Sequence, residues 1–431
     1  MNPRHKLDYY EKDLKRCCHC SMCKFIPLIQ VKDARYTQVC PAISQKDFHA
    51  YCAGGKLHAA LSLLEGRIEP DADLLDVVYR CSTCGGCDVS CKHNRDLEPL
   101  EVLFALRAHL VSTGVGPLPE HEPILMGIRN YDNVWQQPRQ ARGRWAKDAG
   151  VKVLPKQSAE VLYFAGCTYS LNRQLTGVAR KTVALMKSAG VDVGVLGEEE
   201  PCCGSPAFTI GDHELFMEKA AANIAMFNRL GIKRLVTSCA GCFGVMSGKY
   251  PAVGDMSFEV VPAVSFIEEL VREGGIRLTH PVNMTVTYHD PCHLGRQSEP
   301  YIPWEGRELK KLNSVVVHDP PKEYRRGTKG VYDAPREVLA AVPGLTLTEM
   351  KRIREYSFCC GSGGGVKSAF PEFALTAARE RVAEAEETGV RAIVTACPWC
   401  EANLADGLAA GESGMELFDL VDIVTRAMGG E

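Results

Sequence analysis

The sequence predicts an α+β chain in several parts: a mainly helical N-terminal domain, then two α/β units, each built on a parallel sheet. Three observations carry this. Apolar residues recur at helical spacing early in the chain, strands and helices alternate from Glu160 onward, and a short motif occurs twice, as Cys202-Cys203-Gly204-Ser205 and Cys359-Cys360-Gly361-Ser362. Each copy has a single cysteine upstream, Cys167 or Cys292, and a C-x2-C pair downstream, Cys239 with Cys242 or Cys397 with Cys400, which makes two five-thiol sets. The expected boundaries are 1–114 for the helical domain, 115–157 for a linker, 158–280 for the first α/β unit and 281–431 for the second.

In the first domain, His58 to Leu64, Leu74 to Tyr79 and Pro99 to Leu110 show helical spacing. Cys17, Cys20 and Cys23 follow C-x2-C-x2-C, with Cys40 later, just before Pro41; Cys81, Cys84, Cys87 and Cys91 follow C-x2-C-x2-C-x3-C. Three cysteines at successive two-residue gaps wrap one loop around a cubane, and the fourth ligates the other cluster in two-cluster ferredoxins. By that rule Cys17, Cys20, Cys23 and Cys91 hold one [4Fe-4S] cluster, and Cys81, Cys84, Cys87 and Cys40 the other. The long gap from Cys23 to Cys40 leaves Cys18 and Cys52 as substitutes for Cys40. Structural zinc, which takes two separated C-x2-C knuckles, fits the spacing poorly. The stretch 115–157 has five prolines and no sustained periodicity, and Trp135 and Trp145 there read as packing anchors.

In the first α/β unit, Val161 to Ala165 is a short apolar run before Cys167, Gly177 to Ala189 has helical spacing, Val191 to Leu196 is a strand, and His213 to Leu230 is a helix leading to the strand Leu235 to Thr237. The second unit repeats this with the strand Asn283 to Tyr288, the helix Ala334 to Val342, the strand Leu345 to Met350, the helix Glu372 to Glu387 and the strand Ala392 to Thr395. Alternation of this kind implies a parallel sheet, whose ligands collect at the carboxyl ends of the strands. The cysteines stand there. The offset between copies is 157 residues at Cys203 and Cys360 but 125 at Cys167 and Cys292, so the second unit carries an insertion, about 297–328, with Trp304 and the basic residues Lys322, Arg325 and Arg326. Such an insertion serves as a lid, a docking surface or, most commonly, a solvated loop.

Composition narrows the chemistry. A formal net charge of -3 and the lack of a basic tract with aromatics give no case for nucleic acid. No apolar run reaches the length of a membrane span, and the charged N-terminus has no signal-like apolar core, so the expectation is a cytoplasmic protein. Twenty cysteines in a reducing compartment must then be mainly metal ligands or redox groups. Gly361 to Ser368 looks superficially like a phosphate loop, but Val366 stands where that motif needs glycine.

Cys167, 34 residues, Cys202-Cys203-Gly204, 34 residues, Cys239-x2-Cys242, and the second copy with a first gap of 66, resemble the cysteine-rich CCG domain of the heterodisulfide reductase family. With the ferredoxin runs, nearly the whole chain resembles that family's fused D-type subunit. The resemblance implies two CCG domains related by a pseudo-twofold axis, each five-cysteine set binding a non-cubane [4Fe-4S] cluster. That makes four [4Fe-4S] clusters, two cubane and two non-cubane. It implies Cys202, Cys203, Cys359 and Cys360 at the reacting centre, with Gly204 and Gly361 letting the backbone approach the cofactor. His289 or His293, flanking Cys292, is a candidate proton donor, and Lys367 and Arg296 are candidates for holding an anionic substrate.

Two functions follow. One is a thiol-disulfide oxidoreductase subunit of a larger anaerobic redox complex, passing electrons from the ferredoxin clusters to the paired centres. The other is an electron relay with no substrate of its own, for example linking bifurcating machinery to a class II benzoyl-CoA reductase or a membrane electron-transfer complex; the family's members, which serve in both ways, occur beside membrane cytochromes, flavin-linked hydroxyacid dehydrogenases and such bifurcating machinery. No flavin or nicotinamide fingerprint is present, so the expected partners are a flavoprotein, a ferredoxin-like or a membrane cytochrome subunit, through which the chain would be peripheral to the membrane, and a small disulfide or thiol.

Overall fold

The computed structural model describes residues 6–302, 304–312 and 315–430. The N-terminal part is helical, with its longest elements at Ala53–Leu64, Ala72–Tyr79 and Pro99–Ser112. Leu14, Leu57, Ala60, Val78, Leu106 and Leu110 close its own core. Within 115–157 the chain forms the helix Glu122–Tyr131.

The first sheet contains β1 (Lys152–Val153), β2 (Val161–Phe164), β3 (Val193–Val195), β4 (Arg234–Thr237) and β5 (Glu259–Pro262), in the order β1-β3-β2-β4-β5. All pairings in it are parallel. β6 (Met284–Tyr288) opens the second unit, an antiparallel hairpin of β7 (Arg307–Lys311) and β8 (Val315–Asp319) follows, and β9 (Leu345–Leu347), β10 (Ala392–Thr395) and β11 (Glu416–Asp419) complete a parallel sheet ordered β11-β10-β6-β9. Setting β2, β3, β4 and β5 against β6, β9, β10 and β11 gives one strand order in both units. Central strands are buried on both faces, which is why β2 and β10 read as unbroken apolar runs. Helix His213–Leu230 is closed at both ends by its sequence: Asp212 accepts from the Leu215 N–H and Gly231, at φ 64°, ends it.

The two sheets share a core, in which Tyr163, Val183, Val236 and Ile267 pack with Val286, Tyr288, Ile393 and Val424. The insertion forms the β7–β8 hairpin rather than a simple loop. Its base turns toward the N-terminal helices: Lys322 pairs with Asp96, and the half-buried Arg325 reaches Glu98 at 3.2 Å, Glu101 at 3.6 Å and Asp88 at 3.7 Å. Among the described residues, no helix is long and apolar enough to cross a membrane.

Candidate metal centre

Both units place their thiols by the same local devices. β2 ends at Phe164, and Gly166 (φ 74°) turns the chain into a short helix carrying Cys167; the positive φ favours glycine, and a Cβ there would crowd the Cys242 Sγ at 3.2 Å. Cys239, just beyond β4, precedes helix Ala240–Gly248, whose first turn holds Cys242. Cys397 and Cys400 stand identically after β10 on helix Pro398–Ala410. The Cys-Cys-Gly turns repeat in detail: the Gly204 N–H donates to the Cys202 Sγ at 3.5 Å, and the Gly361 N–H to the Cys359 Sγ at 3.4 Å. Both glycines have positive φ, and what an added Cβ would meet is a long helix further on, Phe216 of His213–Leu230 at 3.1 Å or Ala377 of Pro371–Glu386 at 2.7 Å. Close helix packing therefore requires them in any case.

All ten thiols of the two sets line one cavity of about 260 Å³. All but Cys167 stand in an unbroken series of neighbouring thiols from Cys202 through Cys203, Cys242 and Cys239 to Cys397, Cys400, Cys360, Cys359 and Cys292. The sets meet at Cys239 and Cys397. Trp135 and Trp399 stack at the cavity edge with ring centroids 5.7 Å apart and planes 6° from parallel. Trp135, expected as a packing anchor only, is 38% exposed and walls the cavity; Trp145 is buried against Tyr163. Among the described residues, none of 297–328 lines this cavity, so the insertion does not cover it.

The flanking groups are fixed by tertiary contacts. His289 Nδ1 accepts from the Arg381 Nε at 3.1 Å; a guanidinium only donates, so the ring proton sits on Nε2, on a side chain grouped with Cys360 and Cys400. His293 Nδ1 lies 3.4 Å from the Cys292 Sγ and lines the cavity. Lys367 is at the edge, paired with Asp406 at 2.6 Å. Arg296, expected to face a substrate, is instead buried between loops, bonded to the carbonyls of Cys84, Glu355 and Ser357. Sequence reasoning missed three supports. Asn223 and Asn403 donate to the carbonyls of Cys202 and Cys360, at 2.8 and 2.6 Å, and Glu200 joins Arg142 to the backbone at Ala165 and Gly166.

The N-terminal cysteines form two smaller cavities of about 20 Å³ each. Cys17, Cys20, Cys23 and Cys91 line one, with Cys18 beside them; Cys40, Cys81, Cys84 and Cys87 line the other. Cys52 lies against Cys23 and accepts the Gly55 N–H, while the exposed Cys18 accepts from the Arg95 Nε at 3.2 Å. Cys40 is thus the thiol brought to the Cys81 loop.

The surroundings fit anionic metal-thiolate groups. Neighbouring thiols and burial push Cys202 and Cys359 far above the ordinary thiol range, so these crowded sulfurs cannot all ionise without metal to neutralise them. Arg107 and Arg296 are buried beside the Cys81–Cys87 loop and donate to backbone carbonyls; among the described residues neither pairs with a carboxylate, and a buried cation of that kind calls for an anion nearby. The Ser362 hydroxyl, buried and lining the main cavity, has no hydrogen-bond partner among the described residues.

Comparison with known proteins places this arrangement. The cysteine-rich domain family matches residues 161–247, 286–325 and 315–405. The chain is 32% identical over 385 residues to the D-type subunit of the dihydromethanophenazine:CoB–CoM heterodisulfide reductase of Methanosarcina mazei, covering 88% of this chain and 84% of that one. It is 28% identical to the EtfAB:quinone oxidoreductase of Syntrophomonas wolfei over 82% of this chain but 47% of that one. A crystal structure of a hypothetical protein from Helicobacter pylori shares the fold at a TM-score of 0.52 and 10% identity, covering 88% of this chain and 68% of that one. With a match spanning most of both chains, the protein belongs to the family of D-type heterodisulfide reductase subunits.

Proposed function

We propose that this chain is an iron-sulfur oxidoreductase subunit that carries electrons from two ferredoxin-type clusters to a pair of clusters at its centre. Cys17, Cys20, Cys23 and Cys91 would hold one [4Fe-4S] cubane and Cys40, Cys81, Cys84 and Cys87 the other. The two five-thiol sets, related by an approximate twofold axis, would hold two non-cubane [4Fe-4S] clusters. The observation that carries the reading is the single cavity lined by all ten thiols. When bound, the paired clusters would supply the electrons for breaking a disulfide or accept them when one forms, two electrons and two protons for each S–S bond interconverted with two thiols.

The chain's own residues provide the rest. His293, beside Cys292 in the cavity wall, is the group placed to hold a proton for a departing thiolate; burial disfavours its charge, but the Cys292 thiolate raises its pKa overall. Arg381 orients the His289 ring by donating to its Nδ1, and His289 shapes the thiol cage beside Cys360 and Cys400. The Trp135–Trp399 pair and Ile124, Val134 and Ile210 give the cavity an apolar flank suited to an aliphatic thiol or disulfide. Partner subunits must deliver the electrons, a flavoprotein, ferredoxin-like or cytochrome subunit by chemical class.

A relay function without its own substrate is the second reading, favoured by the likeness to a quinone oxidoreductase. Anaerobic purification with iron and sulfide analysis tests the shared core of both, since four [4Fe-4S] clusters need about sixteen irons per chain. Finding about eight would remove the paired centre. With all clusters present, EPR during thiol and disulfide titration separates the two: a changed central signal supports disulfide chemistry, and an unchanged one supports relay.

A further inference from the structure

We infer that Arg296 makes the second five-thiol set the first to be reduced, and makes it the set that takes electrons from the Cys81–Cys87 loop. This rests on the iron-sulfur reading above. Arg296 lies four residues after Cys292 and is 3% exposed. Its Nε donates to the Cys84 carbonyl at 2.7 Å, and its Nη1 to the carbonyls of Glu355 at 2.8 Å and Ser357 at 2.7 Å, the latter two residues before Cys359. Gln297 beside it donates to the Thr83 carbonyl at 2.8 Å. One guanidinium therefore ties together three cysteine-bearing segments. Its Nη2 is buried and has no hydrogen-bond partner among the described residues.

The first set has a corresponding buried arginine, with a decisive difference. Arg142 stands near Cys167 and Cys202, but its Nη2 is paired with the Glu200 Oε1 at 3.0 Å, and Glu200 also accepts from the N–H groups of Ala165 and Gly166, next to Cys167. The first set thus faces an ion pair. The second faces a cation bonded, among the described residues, to carbonyls alone. Reducing a cluster adds negative charge, so a fixed cation in a low-dielectric site favours the reduced form, while an ion pair does so weakly. Two sets with repeated thiols should then differ in potential, the second being higher.

Contacts give the same polarity. The Cys84 thiol meets that of Cys359 and lies near Cys292, both of the second set. Backbone of the Gly361 loop presses on the Cys81 loop: a Cβ on Gly363 would lie 2.6 Å from the Ser82 carbonyl, and one on Gly364 2.7 Å from that of Cys81. An electron from a low-potential one-electron donor protein would pass from the Cys81–Cys87 centre to the second set and then across Cys397 and Cys239 to the first. Two such transfers supply a two-electron reduction.

The test is a potentiometric EPR titration of the anaerobically purified holoprotein, with the signals assigned by Cys359→Ser and Cys202→Ser. In Arg296→Gln the reduced-to-oxidised ratio of the second centre at a fixed potential should fall about tenfold, ~59 mV for a one-electron couple, with the first centre unmoved. Arg296→Lys, which keeps the charge, should retain the wild-type order. Glu200→Gln, which leaves Arg142 unneutralised, should raise the ratio at the first centre and narrow the gap. Equal shifts in the Gln and Lys variants of Arg296 would show a mere clamp and overturn the proposal, as would an unmoved second centre in an iron-replete Arg296→Gln. If that variant loses iron, Glu200→Gln decides, and an unmoved first centre overturns the proposal. About eight irons per chain in the wild type would instead fail the function itself, before either variant is made.

Discussion

His121 is a buried histidine held neutral. Its ring packs on Tyr79 with centroids 5.0 Å apart, and its Nε2 sits 3.2 Å from the Gly365 carbonyl, so Nε2 carries the proton. Burial first, and the Arg107 charge second, push its pKa down to about 4 from an ordinary 6.5. Between those values the unfolded chain binds more protons than the folded one, so stability is lost as pH falls from 6.5 through 4, by ~3 kcal/mol in all. His121→Gln should flatten that acid limb, as read by urea unfolding at a series of pH values; an unchanged slope would assign the acid sensitivity elsewhere. At this scale the cysteines are legible in the sequence because their spacing is local. Asn223, Asn403, Glu200 and Arg296 are not, since each owes its role to a segment distant in sequence. Asn403→Ala should cost ~1–3 kcal/mol by stranding buried carbonyls, and should perturb the EPR signal of the second centre alone.

Among the elements, the insertion shows where sequence patterning stops. Both parallel sheets are legible: helix His213–Leu230 and strand Ala392–Thr395 match their expected bounds, because buried elements must show their apolar period. β7 and β8 are not. Their residues are exposed or half-buried on both faces, so no alternation marks them, and β5 and β11, short strands at sheet edges, escape the pattern too. The hairpin's two ends lie together, with the Trp304 Nε1 donating to the Pro320 carbonyl at 3.0 Å. Replacing 307–319 with a short glycine-rich turn should therefore leave iron content and the central EPR signal unchanged, since loop length itself costs little. Arg325→Met should do the opposite. It takes the bridging cation from Asp88, Glu98 and Glu101 and leaves Glu98 to Lys92 and Glu101 to Lys249, at a cost of ~1–3 kcal/mol in denaturant unfolding.

At the scale of the whole molecule, the repeat in sequence is a repeat in fold, yet the N-terminal helices break the symmetry by docking their Cys81 loop on one copy. Arg107 joins the three parts. It is buried in helix Pro99–Ser112 and donates to the carbonyls of Thr209 at 2.7 Å in the first unit, Gly364 at 2.9 Å in the second, and Cys81 at 2.8 Å and Val78 at 3.0 Å in its own part. Hydrogen bonds from a charged group contribute ~1.5–3 kcal/mol each, so Arg107→Met should destabilise the protein by ~3 kcal/mol or more. The loss should also change the shape of unfolding. The two sheets remain joined by the core they share, whereas the helical part has a core of its own and meets them through the Leu100 and Phe104 contacts and the buried hydrogen bonds of Arg107. On heating, the variant should lose the EPR signals of the proposed ferredoxin-type centres at a lower temperature than its sheet and helix signal in far-UV circular dichroism, while the wild type loses both together. Coincident loss in the variant would mean that the apolar contacts of Leu100 and Phe104 with Ala207 and Phe208, and not Arg107, carry the coupling.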